Sequence, residues 1–146
     1  MTSLVHLARR FATSLTGREP AAAERDWAHA QLLVEEAALW DRMVVQDRRH
    51  SLLVARRFEQ LAVNPSREAL AAALLHDIGK TAAGMGTWAR VLATVVGPRT
   101  SRFRQYHDHE RIGAELLRSA GSHPATVELV LGRGPLAATL RSADNV

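Results

Sequence analysis

The sequence predicts an all-α protein that folds as one domain. Its 146 residues lie in the usual size range of a single domain. Ala and Leu are abundant and β-branched residues are sparse, a composition that favours helices over strands. Turn-forming residues also divide the chain into helix-length segments rather than short alternating ones. A chain with 47% hydrophobic and 23% charged residues is typical of a globular protein and excludes wholesale disorder.

Two helices are predicted in the N-terminal part of the chain. The first covers about residues 3–15, where apolar residues recur at helical spacing and two arginines interrupt any signal-peptide stretch. The second is long and runs from Pro20 to Met43, with proline suited to a helix start. One side of it is predicted to carry Trp27, Ala30, Leu33, Val34, Ala37 and Trp40.

The next two predicted helices lie in the middle of the chain. One runs from about Val44 to Ala62. The other follows Asn64-Pro65-Ser66, whose serine can cap a helix, and runs to Ile78. Gly79 then suits a left-handed helix cap, so we expect this helix to stop there.

Shorter segments make up the C-terminal half. A Gly/Thr-rich passage over residues 80–87 precedes an apolar segment over residues 88–96, which Gly97-Pro98 ends. Helices are then predicted from Tyr106 to Ala120, from Ser122 and Pro124 to Leu131, and after Gly132-Arg133-Gly134-Pro135 to the C-terminus.

Composition excludes several classes of function. The chain has no cysteine, which excludes disulfide scaffolds, thiolate metal sites and cysteine nucleophiles and is compatible with the cytoplasm, the location we expect. No apolar run approaches the ~20 residues needed to span a bilayer, so no membrane association is expected. The net charge of +4 comes almost entirely from arginine, since Lys80 is the only lysine. Arg99, Arg102 and Arg104 form a local basic cluster without interleaved aromatic residues, so solvated arginine is favoured over a nucleic-acid site.

Four polar residues interrupt the apolar faces of the predicted helices. His50 shares a stripe with Leu53, Val54, Phe58 and Leu61, and a hydrogen-bonded core histidine is the simpler interpretation of this residue alone. Asp144 follows Leu136 and Leu140 on the apolar stripe of the last helix, where a buried carboxylate requires a partner.

His76 and Asp77 come at the end of the fourth predicted helix. Adjacent helical residues diverge by about 100°, so both can reach one point only beyond the helix end. An aspartate there also faces the negative end of the helix dipole and needs a nearby cation. A bound metal ion would supply that cation; the alternative is a surface pair at a frayed helix end.

Together these residues predict a metal site. Imidazole and carboxylate ligands suit Mn, Fe, Co, Ni or Zn and disfavour calcium. His109 lies in line with Ile112, Gly113 and Leu116 and is expected to point inward as well.

The order of these residues resembles the HD-domain superfamily of metal-dependent phosphohydrolases. The resemblance rests on His50, on His76-Asp77 in the string His-Asp-Ile-Gly-Lys, and on Asp144 in the string Leu-Arg-Ser-Ala-Asp. It covers about residues 40–146, and the segment from His109 to Leu117 is similar to a later histidine segment of the family. The resemblance implies one HD-type helical domain over residues 1–146, with residues 1–35 as a helical extension packed on it.

The resemblance also implies roles for these residues. His50, His76, Asp77 and Asp144 would bind one divalent metal ion, Asp77 would orient or deprotonate the attacking water, and Lys80 would reach the substrate phosphate. Two-metal members carry a further histidine just before the last helix, where this chain reads Gly132-Arg133-Gly134-Pro135, so a second metal is not expected. His109 is then expected to contact the substrate or a bound water.

Two functions follow from the resemblance. The leading hypothesis is a phosphohydrolase acting on a small phosphorylated substrate, either a phosphomonoester or a nucleotide. The alternative is a non-catalytic regulatory or interaction module of HD type that retains its metal site. Lys80 together with all four candidate ligands favours the enzyme.

Overall fold

The computed structural model describes residues 17–81 and 102–145, and within these ranges it contains helices and no strand. The predicted all-α fold is confirmed. We number the described helices α1 (Ala22–Gln31), α2 (Val34–Asp41), α3 (Val45–Leu61), α4 (Arg67–Leu75), α5 (Ile78–Thr81), α6 (Arg102–Ser119), α7 (Pro124–Val130) and α8 (Ala137–Asp144). None of them is long and apolar enough to cross a membrane.

Helix α4 forms the centre of the fold. Every residue from Ala69 to Leu75 is buried, and the helix packs against α3 and α7 and, less extensively, against α1 and α2. Its four alanines let the neighbouring helices approach closely, which is why so short a helix can be surrounded. Ser66 caps it as predicted, because its side chain accepts a hydrogen bond from the backbone N–H of Ala69 at 3.1 Å. The metal-site residues predicted at its C-terminus therefore start from a rigid element.

The prediction of one long helix from Pro20 to Met43 is wrong, because Leu32 and Leu33 separate two helices, α1 and α2. Both residues have extended backbone, with ψ of 144° and 160°. The Glu36 carboxylate accepts a hydrogen bond from the Leu33 N–H at 2.8 Å and so begins a new helix. The single apolar side predicted for this region does not exist, since the side chain of Val34 is 84% exposed while Trp40 is fully buried.

The predicted length of α3 is confirmed, but the prediction of which residues form its buried face is partly wrong. The helix ends at Leu61, one residue short of the predicted end. His50 is in line with Val54 and Phe58, which are buried, whereas the predicted stripe members Leu53 and Leu61 are about half exposed. The buried face of α3 instead adds Ser51, Leu52 and Ala55 to Val54 and Phe58.

The start of α3 is fixed by a buried polar network. The Arg48 guanidinium donates a hydrogen bond to the Met43 carbonyl at 3.1 Å and another to the Glu19 carboxylate at 2.8 Å. The Trp40 indole N–H donates to Ser51 Oγ at 2.9 Å. These contacts orient the first turns of α3, which carry His50.

The end of the fourth predicted helix also differs from expectation. Helix α4 ends at Leu75, a turn contains His76 and Asp77, and α5 begins at Ile78. Gly79 is therefore not a left-handed cap but a buried residue inside α5, and its φ is not positive. Its Cα faces the main chain of α6, since a Cβ built there would lie 2.8 Å from the carbonyl carbon of His109. A glycine is needed because two helices meet at this point.

The C-terminal helices agree with the prediction. Helix α6 contains the predicted segment 106–119, α7 begins at Pro124, and α8 ends at Asp144. His123, rather than Ser122, caps α7, since its Nδ1 accepts a hydrogen bond from the Ala125 N–H at 3.0 Å. The helix predicted over residues 3–15, the segments over residues 82–96, the Gly97-Pro98 break and Arg99 of the basic cluster lie outside the described residues.

Candidate metal centre

Three elements that are distant in sequence bring the predicted ligands together. His50 projects from α3, His76 and Asp77 lie in the turn between α4 and α5, and Asp144 is the last residue of α8. The contact of α3 with both α4 and α8 makes this meeting possible. The turn after α4 matters as well, because it frees two adjacent residues from the 100° divergence of a continuous helix.

Three of the four predicted ligands form a compact group. His50 Nε2 lies 2.9 Å from Asp144 Oδ1, and His76 Nε2 lies 3.3 Å from the same oxygen. The candidate ligand atoms of His50, His76 and Asp144 all lie within 4.8 Å of one another. Two imidazoles and a carboxylate at this separation could bind a divalent transition-metal ion.

The fourth predicted ligand, Asp77, lies at the side of this group. Its Oδ2 is 3.4 Å from His76 Nε2, and its Oδ1 is 3.0 Å from the Nζ of Lys80. The carboxylate therefore links the three-residue group to the lysine on α5. In this structure it pairs with Lys80 and does not join the group formed by His50, His76 and Asp144.

The orientation of His76 provides a test of whether a metal ion fits. Its Nδ1 lies 2.8 Å from the Ala73 carbonyl, which can only accept, so Nδ1 must carry the proton. In the neutral ring the lone pair of Nε2 then faces the carboxylates of Asp77 and Asp144. Nε2 is buried and has no hydrogen-bond partner among the described residues. A lone pair facing two carboxylates is unfavourable unless a proton or a cation lies between them, so these residues fit a metal ion.

The close contacts among His50, His76, Asp77 and Asp144 also shift the pKa values of Asp144 and His76. The His50 imidazole, and then that of His76, hold the pKa of Asp144 far below its usual range, although burial acts in the other direction. Burial lowers the pKa of His76, but the carboxylates of Asp144 and Asp77 outweigh it and raise the pKa overall. Both groups are thus stabilised in their charged forms.

The residues of the centre differ in their exposure to solvent. The side chains of His50, His76 and Asp77 are 17%, 11% and 16% exposed, but Asp144 is 39% and Lys80 is 46% exposed. Asp144 is thus only partly buried, less than its place on the apolar stripe predicts, and His50 and His76 are the partners that the prediction requires.

His109 lies next to the centre through its main chain. Its carbonyl packs on Gly79, between Asp77 and the end of α5, and its Nδ1 is buried. Ile112, Gly113 and Leu116 are buried on the same helix, as the predicted stripe requires. His109 is not a member of the three-residue group. Its predicted contact with a substrate stays a prediction.

Asp47 is a residue of this region that sequence reasoning missed. It is half-buried, and its carboxyl interacts electrostatically with Asp77, Lys80, His50 and His76. The signal that could have identified it is its position three residues before His50, which places both side chains on one face of α3.

Comparison with known proteins identifies one match. A family model described as HD domain matches residues 48–134. The match includes His50, His76, Asp77, Lys80 and His109 and stops before the helix that carries Asp144. No curated protein and no solved structure matches the chain.

Proposed function

The chain belongs to the HD-domain family, whose members are mostly metal-dependent hydrolases, and we propose that it is a phosphohydrolase acting on a phosphomonoester or a nucleotide. The observation that carries this proposal is the group formed by His50, His76 and Asp144, with Lys80 joined to it through Asp77. Hydrolysis of a phosphate ester benefits from both parts of such a site: a place to bind a Lewis acid, and a cationic side chain that binds the phosphate oxygens.

The four predicted ligands would hold one divalent metal ion. Nitrogen and oxygen donors favour Mn, Fe, Co, Ni or Zn. When bound, such an ion would polarise a phosphoryl oxygen and make a neighbouring water more acidic. Asp77 would contribute its Oδ2, which lies 3.4 Å from His76 Nε2, while its Oδ1 pairs with Lys80.

The side chains of the site divide the remaining chemistry between them. Asp77 would accept a proton from an attacking water, since its carboxylate lies beside His76 at 3.4 Å and is partly exposed. Lys80, a flexible point charge, would bind a phosphate oxygen and follow it as charge develops. His109 on α6 would contact the substrate or a water from the opposite side of α5. Asp144 and His50 would act as ligands only, because they pair with each other at 2.9 Å.

The electrostatics of the site favour this division. Without a metal ion, Asp77 and Asp144 would repel a phosphate, and Lys80 alone does not neutralise both. A divalent ion reverses the local charge, so phosphate binding should require metal. A small phosphorylated molecule is thus the substrate class we propose.

The decisive experiment combines metal analysis with a substrate panel. The purified protein is loaded with each of Mn, Fe, Co, Ni and Zn, and release of inorganic phosphate is measured from nucleotides, sugar phosphates and aryl phosphates. We expect about one metal ion per chain and metal-dependent turnover of at least one ester class. His29→Gln is a matched control, since His29 pairs with Asp41 away from the centre at 2.7 Å. A protein that binds metal but hydrolyses no member of the panel would instead be the non-catalytic module, and one that binds no metal contradicts the proposal.

A further inference from the structure

Helix α8 is joined to the rest of the protein by few contacts. It has eight residues, and among the described helices it packs extensively only on α3. Its buried side chains are those of Ala137, Leu140 and Ala143, two of which are small. The segment before it, residues 132–135, is exposed and contains two glycines with positive φ. A helix of this length is not stable alone in water, so α8 depends on its packing against α3.

Asp144 supplies the polar contacts that join α8 to its neighbours. Its Oδ1 lies 2.9 Å from His50 Nε2 and 3.3 Å from His76 Nε2. Within the described part of the chain, no other side chain of α8 forms a hydrogen bond or an ion pair with another element. At the start of the helix, Leu136 provides no side-chain cap. The position of α8 therefore depends on one large apolar side chain, Leu140, and on one carboxylate, Asp144.

A metal ion at the centre would strengthen the second of these two contacts. The candidate ligand atoms of His50, His76 and Asp144 lie within 4.8 Å of one another, and they come from α3, from the turn after α4 and from α8. A ligand that binds all three residues binds only the form in which α8 is packed on α3. Such a ligand stabilises that form by mass action, and by reciprocity the packing of α8 raises the affinity for the ligand.

We propose that α8 is a metal-dependent latch, in which Asp144 couples occupation of the centre to the packing of α8 on α3. The inference rests on the proposed function for the role of Asp144 as a metal ligand, but it does not require catalysis. In the metal-free protein, α8 detaches by local unfolding and takes Asp144 away from His50 and His76. In the metal-loaded protein, the latch stays closed. The supply of metal ion thus controls whether α8 covers α3.

Hydrogen exchange measured by NMR on the full chain tests the latch without a substrate. In the metal-free protein, the amides of α8 should exchange faster than those of α7, which packs on both α4 and α6. Zinc at about a hundred times its Kd should slow exchange in α8 by up to about a hundredfold. Asp144→Asn should speed α8 exchange in the metal-free protein and remove most of the zinc effect. Equal exchange of α8 in metal-free and zinc-loaded wild type would overturn the inference.

Zinc affinity tests the same coupling in the reverse direction. Leu140→Ala removes the large apolar contact of α8 without changing a ligand. The fraction of molecules with α8 in place should fall, and zinc affinity should fall with it by about tenfold or more. The matched control is Leu129→Ala on α7, since Leu129 is 6% exposed and Leu140 is 7% exposed. The control should lower the unfolding temperature and leave zinc affinity nearly unchanged. Unchanged affinity in Leu140→Ala, or an equal loss in both variants, would show that there is no latch.

A milder pair of variants keeps the inference testable if truncation of the core unfolds the protein. Ala138 on α8 and Ala38 on α2 are both exposed, and each lies in a helix of eight residues. Ala138→Gly should speed metal-free exchange in α8 by up to about fivefold and leave α7 unchanged, because glycine weakens the helix that contains it. Ala38→Gly should not change exchange in α8. If α8 and α7 respond together, α8 does not open on its own and the latch is wrong.

The latch and the proposed function can fail separately. A protein that shows the expected exchange and zinc affinities but hydrolyses no phosphate ester would have the latch without the proposed activity. A metal-dependent phosphohydrolase whose zinc affinity does not depend on Leu140 would have the activity without the latch.

Discussion

Gly79 packs so closely on His109 that α5 has no room for a side chain at this position. A Cβ on Gly79 would overlap the carbonyl oxygen of His109 and would lie 2.8 Å from its carbonyl carbon and 3.0 Å from the backbone nitrogen of Gly113. All three atoms are main chain, which cannot rotate away. This crossing sets the distance between α6 and the short helix that carries Lys80, and it fixes the turn that contains His76 and Asp77.

Gly79→Ala should therefore destabilise the protein by about 1–3 kcal/mol, the usual cost of overpacking a rigid core. The matched control is Gly113→Ala on the facing helix. A Cβ there first meets the Ile78 side chain at 3.1 Å, which can adjust, so its cost should be smaller. Chemical denaturation of both variants measures the difference. A larger loss at Gly113 would show that the close main-chain contact is not what limits this crossing.

The metal centre should depend on its predicted ligands in a graded way. His76→Gln and Asp144→Asn should each reduce bound metal strongly, because both residues belong to the three-residue group. Asp77→Asn should reduce it less, because its carboxylate lies at the side of the group and pairs with Lys80. Elemental analysis after dialysis against limiting metal gives the stoichiometry. Two metal ions per wild-type chain would contradict the single site.

Local sequence signals were sufficient to predict the approximate bounds of several helices, whereas the set of candidate ligands rested on the family resemblance. Ser66, Pro124 and the spacing of Val54 and Phe58 act within one or two turns, so their consequences can be read from neighbouring residues. Of the four ligands predicted from the His-Asp string, His50 and Asp144, the structure groups three: His50 of α3, His76 of the turn after α4 and Asp144 of α8. These residues can be recognised in the sequence because they are polar side chains on otherwise apolar helix faces.

Other features depend on contacts that only the folded chain contains. The break at Leu33 arises because Glu36 caps a new helix while also contacting Ser122, which is distant in sequence. In the sequence, Gly79 predicts a helix end. Its packing on His109 could not be predicted, because it depends on how α5 meets α6. The exposure of Asp144 depends on which elements flank the last turn. Contacts between residues that are distant in sequence determine all three features, and helical periodicity does not predict such contacts.

Glu36 is a buried carboxylate whose removal should destabilise the fold. It is fully buried and accepts hydrogen bonds from the Leu33 N–H at 2.8 Å and the Ser122 hydroxyl at 2.7 Å, with Arg67 at 3.4 Å. Glu36→Ala would leave these donors without an acceptor and should cost about 3–5 kcal/mol. Glu35→Ala, at the exposed neighbouring position, should change the free energy of unfolding little. Similar losses in both variants would assign the effect to helix propensity rather than to the buried network.

The metal-free protein should lose stability as the pH rises through neutrality. Because the folded pKa of His76 is raised above its ordinary value of 6.5, its contribution is fully present below that pH and is lost as the pH rises through the folded pKa. Asp144 contributes in the opposite sense, but its lowered pKa confines that loss to strong acid. Thermal unfolding with a chelator at about pH 6 and about pH 9 measures the slope.

Metal binding should have the opposite pH dependence, because only a neutral imidazole coordinates metal. His76→Gln should flatten the stability slope of the metal-free protein. A metal-free protein that becomes more stable between those two pH values would contradict the raised pKa of His76.

Lys80 provides the test that separates an enzyme from a non-catalytic module. Its Nζ lies 3.0 Å from Asp77 but is not part of the group that would bind metal, so Lys80→Ala should leave the metal content unchanged. If the ammonium binds the phosphate, the variant should lose a charge-assisted contact of about 1.5–3 kcal/mol, equivalent to a tenfold to hundredfold loss of kcat/KM. His109→Ala should lower turnover by a smaller factor. In a module, metal-loaded wild type and both variants would show the same negligible hydrolysis over the whole panel, whereas an enzyme requires the wild type to exceed Lys80→Ala at equal metal content.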